Sequence, residues 1–182
     1  MAFRFTLLFF FLGNASVSYG FNFFQTANTP SSRMLELGGW MNLLVDPTEF
    51  QSGAVISWTP VTRLQGEARL GFGTQGVQTT ALLKVQALRF QYFALSGFVG
   101  IHYFDTLRAE AGAAVSTRTP WFEPSLAVSA EYHIERRDWG VLWMPGVQIP
   151  FRKDQRLYVY FEFAFGMRLS RGNAGGGMRY LF

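Results

Sequence analysis

Residues 157–169 alternate strictly between large apolar side chains and small or polar ones. The apolar set takes every second position: Leu157, Val159, Phe161, Phe163, Phe165, Met167 and Leu169. Side chains of a β-strand point alternately to its two faces, whereas a helix repeats its apolar positions every three or four residues. A strand with one wholly apolar face and a small or charged opposite face is typical of a strand between lipid and a polar lumen. At about 13 residues it can cross a bilayer at a tilt.

The same period recurs along most of the chain. Further alternating segments lie near residues 35–45, 54–59, 67–73, 83–92, 99–103, 107–115, 125–135, 139–149 and 177–182. Within 83–92 the alternation changes phase after residue 87, which predicts a β-bulge. Turn signals rich in Asp, Gly, Pro and Asn separate the segments. The pattern predicts ten strands, or eight if the break near 93–96 is rejected and another pair of segments is merged. Barrels of this kind usually have an even number.

The outer faces decide between a membrane barrel and a soluble β-sandwich. A sandwich buries its apolar faces against each other and needs polar outer faces. This chain has twenty phenylalanines and only 15% charged residues, and its non-apolar faces are mostly glycine, alanine, serine and isolated charges. A closed barrel in lipid pairs every backbone group and leaves no sheet edge. We therefore predict an all-β fold: a closed antiparallel up-and-down transmembrane β-barrel of about ten strands.

The N-terminus has the features of a secretory signal peptide. Arg4 is the only charge in the first twenty residues, an apolar run follows at 5–12, and Ser18 and Gly20 are small residues suited to a cleavage site. About 8 apolar residues are too few for a membrane span, which needs about 20. The absence of cysteine excludes a lipoprotein anchor and thiolate zinc. The predicted organisation is a cleaved signal peptide (1–20), an N-terminal periplasmic segment (21–32) and the barrel (33–182).

The C-terminus carries a second targeting feature. Met178, Tyr180 and Phe182 stand at alternate positions, with Gly177 just upstream. This ending resembles the terminal-strand signal of bacterial outer-membrane β-barrel proteins. The resemblance implies that Gly177, Tyr180 and Phe182 form the insertion signal, read by the barrel-assembly machinery of a Gram-negative cell envelope. Outer-membrane lipid and lipopolysaccharide would then surround the protein. The net charge of +4 is too small and too scattered to predict nucleic-acid binding.

Charges of both signs fall mainly on the faces opposite the large apolar groups. The predicted lumen charge network consists of Glu36, Glu67, Arg69, Lys84, Arg89, Arg108, Glu110, Glu131, His133, Glu135, Glu162, Arg168 and Arg179. Buried charges need partners, so mixed signs predict ion pairs. Barrels of about eight strands are filled by side chains, and open channels appear at about sixteen. A side-chain-filled lumen is therefore favoured, with a narrow solute pore as the alternative.

Histidines and carboxylates near the predicted outer rim are the candidates for chemistry. His102 and His133 lie late in their strands, and imidazole beside carboxylate can serve as a general base. Acid and histidine residues near the rim resemble the omptin barrel proteases, but that family uses aspartate pairs on long strands, which this chain lacks. Barrel lipid A deacylases use a His-x-Ser pair, and neither histidine is followed by serine two positions later.

The functional expectation is therefore a non-enzymatic one. The sequence predicts no catalytic, cofactor-binding or metal-binding residues and no cofactor. It favours a structural or interaction role in the envelope, with an envelope protein as a possible partner. An outer-membrane enzyme that modifies lipid or peptide is the remaining alternative beside the solute pore.

Overall fold

Ten β-strands make up the described part of the chain. The computed structural model describes residues 27–29, 33–45, 48–74, 76–104, 106–119, 121–151, 156–167 and 173–182. Within these ranges the strands are β1 (Met34–Val45), β2 (Thr48–Val61), β3 (Leu64–Gly73), β4 (Gly76–Arg89), β5 (Phe93–Tyr103), β6 (Leu107–Thr117), β7 (Glu123–His133), β8 (Asp138–Pro150), β9 (Leu157–Met167) and β10 (Asn173–Leu181).

The strands close into a barrel. Each strand pairs antiparallel with its neighbours in sequence, and β1 pairs with β10 from Glu36↔Leu181 to Leu44↔Asn173. The predicted closed antiparallel up-and-down barrel of about ten strands is confirmed, and the eight-strand alternative is wrong. We call the end that holds the start of β1 and the end of β10 the terminal end, and the opposite end the far end.

The register of β4 confirms the predicted change of phase. Gln86 pairs with Ser96 of β5, but the next pair is Leu88 with Leu95, so Ala87 has no opposite residue. Such a bulge reverses which side chains point outward. The chain therefore keeps Val85 and Leu88 both exposed, although they lie three positions apart.

The exterior of the barrel is apolar. Along β9, Phe161, Phe163 and Phe165 are 49–54% exposed, whereas Glu162 and Ala164 between them are buried. The other strands alternate in the same way, with valine, leucine, isoleucine and aromatic side chains outward. A surface of this composition is stable against lipid and not against water. No helix in the described ranges is long and apolar enough to cross a membrane.

The core of the protein is its lumen. Inward-facing Leu82, Phe98, Leu142 and Met144 belong to one buried apolar cluster. A smaller cluster joins Trp40, Val55 and Tyr160. A barrel of this size is narrow enough for inward side chains to fill it. Because interiors are closely packed, a large side chain fits there only beside a small one.

Two glycines make room for the inward aromatic rings. A methyl group on Gly71 would collide with the ring of Trp40, and one on Gly112 would collide with the ring of Phe98. The Trp40 ring of β1 lies against Gly71 of β3, and the Phe98 ring of β5 lies against Gly112 of the neighbouring β6. Large and small inward-facing residues on nearby strands thus complement each other.

Candidate functional site in the barrel lumen

The first group of lumen charges lies in the terminal half, across the line where β1 meets β10. We call Glu36, Glu67, Arg69 and Arg179 the seam cluster. Arg179 Nη1 lies 2.7 Å from Glu67 Oε2 and 3.7 Å from Glu36 Oε2, and Arg69 Nη2 lies 2.5 Å from Glu67 Oε1. All four side chains are buried. Because Arg179 is on β10 and Glu67 on β3, their ion pair spans four neighbouring strands.

Neutral side chains complete the seam cluster. Ser57 Oγ donates to Glu67 Oε2 at 3.0 Å, and Gln65 Nε2 donates to Glu36 Oε2 at 2.7 Å. The guanidinium carbon of Arg179 lies 5.1 Å from the centroid of the Tyr160 ring. Cations over aromatic faces and donors to carboxylates stabilise buried charge. Both carboxylates of the cluster therefore have an ionic and a neutral partner, which gives the network a defined geometry.

The second group lies at the far end. We call Thr80, His102, Arg108, Glu110, Glu131 and His133 the far cluster; these six side chains are all buried. His102 Nε2 lies 3.0 Å from Glu110 Oε2, and Thr80 Oγ1 lies 3.2 Å from His102 Nδ1. His133 Nε2 lies 4.0 Å from Glu131 Oε2. Arg108 is opposite His102 on one side and opposite His133 on the other.

The Thr80–His102–Glu110 arrangement places a hydroxyl, an imidazole and a carboxylate in sequence. The same three groups in contact activate a nucleophile in hydrolases. Here Thr80 is 4% exposed and His102 is 1% exposed. Phe104, one residue beyond β5 at the same end, is buried in the apolar lumen cluster. The hydroxyl and the imidazole are therefore both closed off from solvent in this arrangement.

Thr80 was not found by sequence reasoning. It faces His102 because β4 and β5 pair Thr80 with His102 in register. The only signal in the sequence is its place on the inward face of an alternating strand, which it shares with many other residues. No group of three or more His, Asp and Glu residues in the described ranges is arranged to hold a metal ion.

Two residues of the predicted charge network, Arg89 and Glu135, lie outside the buried lumen. Arg89 is exposed, because β4 ends there at the rim, so its predicted place in the buried network is wrong. Glu135 is also exposed and lies in the turn after β7, where its Oε1 accepts a 3.4 Å hydrogen bond from the backbone N–H of Leu107. Its predicted place in the lumen is wrong for the same reason. Arg168 lies outside the described residues.

The remaining predicted residues have definite positions. Lys84 and Glu162 are buried on the inward faces of β4 and β9. In the final strand, Tyr180 and Phe182 are exposed, and their ring centroids lie 4.8 Å apart edge to face. A methyl group on Gly177 would lie 2.7 Å from the carbonyl oxygen of Gly39. The three residues lie at the β1–β10 closure, because Gly177 and Tyr180 pair with β1 and the N–H of Phe182 donates to the carbonyl oxygen of Leu35. Their role as an insertion signal stays a prediction.

The chain is similar to known proteins in fold but not in sequence. No protein-family model matches the chain, and no curated protein is similar to it in sequence. Among solved structures, the KdgM porin is 6% identical with a TM-score of 0.55, covering 80% of this chain and 98% of that one. The NanC porin is 8% identical with a TM-score of 0.49, at the same two coverages. A barrel from "De novo design of transmembrane beta-barrels" is 14% identical with a TM-score of 0.46, covering 84% of this chain and 98% of that one.

Fold and surface together define the class of protein. The chain is a closed ten-strand barrel that is similar in fold to the KdgM porin, and its exterior consists of large apolar side chains. It is a membrane-embedded β-barrel whose lumen holds charged, polar and apolar side chains.

Proposed function

We propose that this chain is an outer-membrane β-barrel with a closed, side-chain-filled lumen, and that it has a non-enzymatic structural or interaction role in the bacterial envelope. The observation that carries the proposal is the filling of the lumen. Leu142 and Met144 have no exposed surface, and the rings of Trp40 and Phe98 occupy the space that Gly71 and Gly112 leave. Inward side chains of a water-filled channel would be accessible to water.

The pairing of the lumen charges supports the same proposal. Charged groups that line a conducting pore must bind a passing ion and release it again. In the seam cluster, Glu67 accepts from Arg69, Arg179 and Ser57 at once. A carboxylate that already accepts from three donors stabilises the barrel wall and has little capacity left to bind a passing solute. Ion pairs of this kind are expected in a closed lumen, since buried charges without partners are costly.

Location and partners are part of the proposal. The apolar exterior, the alternating aromatic ending and the predicted signal peptide all suit the outer membrane of a Gram-negative bacterium. Outer-membrane lipid and lipopolysaccharide would contact the exterior, and the barrel-assembly machinery would insert the chain. No catalytic role is proposed for His102 or His133, because both are buried among the side chains of the far cluster.

Ion conductance tests the closed lumen. We expect purified protein in a planar lipid bilayer to give no conductance steps above the membrane background, while a reference porin in the same bilayer does. A heat-dependent gel shift would establish that the sample is a folded barrel. Stepwise conductance by the folded protein would overturn the proposal.

A narrow solute pore is the second candidate. The observation that favours it is the likeness in fold to the KdgM porin. If the protein conducts, Glu67→Gln and Arg108→Gln would each change the ratio of cation to anion permeability. A conductance that neither substitution alters would exclude a path through either cluster.

A further inference from the structure

A short piece of chain outside the strands lies inside the barrel. Ala27, Asn28 and Thr29 precede β1, yet Ala27 has no exposed surface and Thr29 is 4% exposed. Ala27 belongs to the apolar lumen cluster that also contains Ala94 and Phe98. The side chains that contact residues 27–29 lie on β4, β6 and β7, near the terminal end of each strand. The segment therefore occupies the mouth of the lumen at that end.

The barrel wall holds the backbone of this segment. Lys84 Nζ donates to the carbonyl oxygen of Asn28 at 3.2 Å, and Gln86 Nε2 donates to the carbonyl oxygen of Ala27 at 3.3 Å. Both donors stand on the inward face of β4. A peptide carbonyl buried without a donor would be costly, and these two side chains remove that cost.

The side chains of the segment are held as well. Asn28 Nδ2 donates to Glu123 Oε1 at 2.7 Å, and Asn28 Oδ1 accepts from Gln86 Nε2 at 3.3 Å. Thr29 Oγ1 donates to Gln86 Oε1 at 3.2 Å. Ser116 Oγ donates to the same Glu123 oxygen at 2.7 Å. The Asn28 amide thus links β4 to β7 across the mouth.

We infer that the terminal mouth of the lumen is a peptide-binding cradle formed by Lys84, Gln86, Ser116 and Glu123. Its occupant is the chain's own segment Ala27–Thr29, which acts as a plug that closes this end of the barrel. The inference deepens the proposed closed lumen. It assigns the terminal end to the plug, while Trp40 and Phe98 fill the barrel behind it.

Substitutions of different size at Ala27 test the plug most directly. An arginine in its place cannot fit the apolar cluster and would push the segment out of the mouth without changing any residue of the barrel wall. A serine in its place is nearly the size of alanine and should leave the segment docked. Ala27→Arg and Ala27→Ser are therefore a matched pair.

Thiol labelling reports the position of the plug, because the chain has no cysteine of its own. Ser116→Cys places a probe under the plug, and Ser129→Cys places one at a buried serine of β7 whose hydroxyl makes no hydrogen bond to the segment. Each probe is introduced into three backgrounds of the full-length protein in lipid vesicles: the native Ala27, Ala27→Ser and Ala27→Arg. The rate of reaction with a small water-soluble maleimide is measured.

We expect Ala27→Arg to speed labelling at Ser116→Cys at least tenfold, Ala27→Ser to change it by less than about twofold, and Ser129→Cys to stay slow in all three. Equal rates at Ser116→Cys in the native and Ala27→Arg backgrounds would overturn the plug. Equal acceleration at Ser129→Cys would also overturn it, since that result indicates a loosened barrel rather than an opened mouth.

Conductance separates this inference from the proposed function. The Ala27→Arg barrel should remain non-conducting, because the filled section behind the mouth is unchanged. If the native protein is silent and Ala27→Arg conducts, the plug is supported while closure by lumen side chains fails. If the native protein conducts, the proposed function fails, and the labelling rates still decide the plug.

Discussion

The seam cluster and the far cluster are both buried groups of mixed charge, but they connect different parts of the barrel. The seam cluster joins β10 and β1 to β2 and β3, and Arg179 and Ser57 are in contact although 122 positions separate them. The far cluster joins β4, β5, β6 and β7, which are neighbours along the chain. Hairpins bring the strands of the far cluster together locally, whereas only closure brings the strands of the seam cluster together. We therefore expect the seam cluster to contribute more to holding the barrel closed.

The largest effect is expected at Arg179. Arg179→Ala removes a cation whose Nη1 lies 2.7 Å from Glu67 Oε2, leaving the buried Glu67 with less compensation. Breaking one side of a buried ion pair typically costs about 3–5 kcal/mol. Urea unfolding in lipid vesicles, followed by tryptophan fluorescence, should show a loss of this size. Arg179→Lys keeps the charge and should lose less; equal losses for the two variants would contradict an electrostatic origin.

A smaller effect is expected at His102. His102→Ala removes the partners of Glu110 Oε2 and of Thr80 Oγ1, and leaving a buried group without a partner costs about 1–3 kcal/mol. The same unfolding measurement compares it with Arg179→Ala. A loss at His102 that equals or exceeds the loss at Arg179 would reverse the proposed ranking of the clusters.

Neither histidine is expected to modify lipid A. Lipid A from cells that express His102→Ala or His133→Ala should have the same mass spectrum as lipid A from cells that express the native protein.

The packing of the lumen provides a comparison that does not involve charge. Gly71→Ala drives a methyl group into the Trp40 ring, and overpacking of this kind costs about 1–3 kcal/mol. Gly97→Ala is the matched control, because its methyl group would lie 3.8 Å from the nearest atom, the carbonyl oxygen of Gly112. The difference in unfolding midpoint between the two variants measures how tightly the lumen is filled. No difference would mean that Trp40 can move, and would weaken the case for a closed lumen.

The smallest effects are expected at the residues that lie outside both clusters. Arg89→Ala and Glu135→Ala each change an exposed side chain, and such changes usually stay within about 0.5 kcal/mol. Their unfolding midpoints should match the native protein. A clear loss at either position would show that it contributes to the network after all.

Much of the architecture could be read from the sequence because alternation is a local property. The apolar positions of 157–169 predicted β9 and its lipid-facing side, and the phase change after residue 87 predicted the bulge in β4. Burial of lumen charge depends in addition on where each strand ends. Arg89 has the inward phase of its partner Ala94 but lies at the rim, so alternation alone gave the wrong burial.

The lumen contacts required the tertiary structure. Trp40 and Phe98 alternate correctly with outward residues, but nothing local shows that they meet Gly71 and Gly112. Thr80 reaches His102 only through the register of β4 and β5. The segment Ala27–Thr29 has no strand pattern, and Asn28 finds Glu123 95 positions away.

The sequence by itself therefore determined the alternating strands and their outward faces, because each side chain's preference for lipid or lumen repeats with the period of its own strand. It favoured ten strands over eight, and the structure decided between them. Closure and register decided which inward groups become partners, how the seam cluster pairs its charges, and what lies in the terminal mouth. Those contacts join residues far apart in the chain, and their energies exist only once the barrel has closed around them.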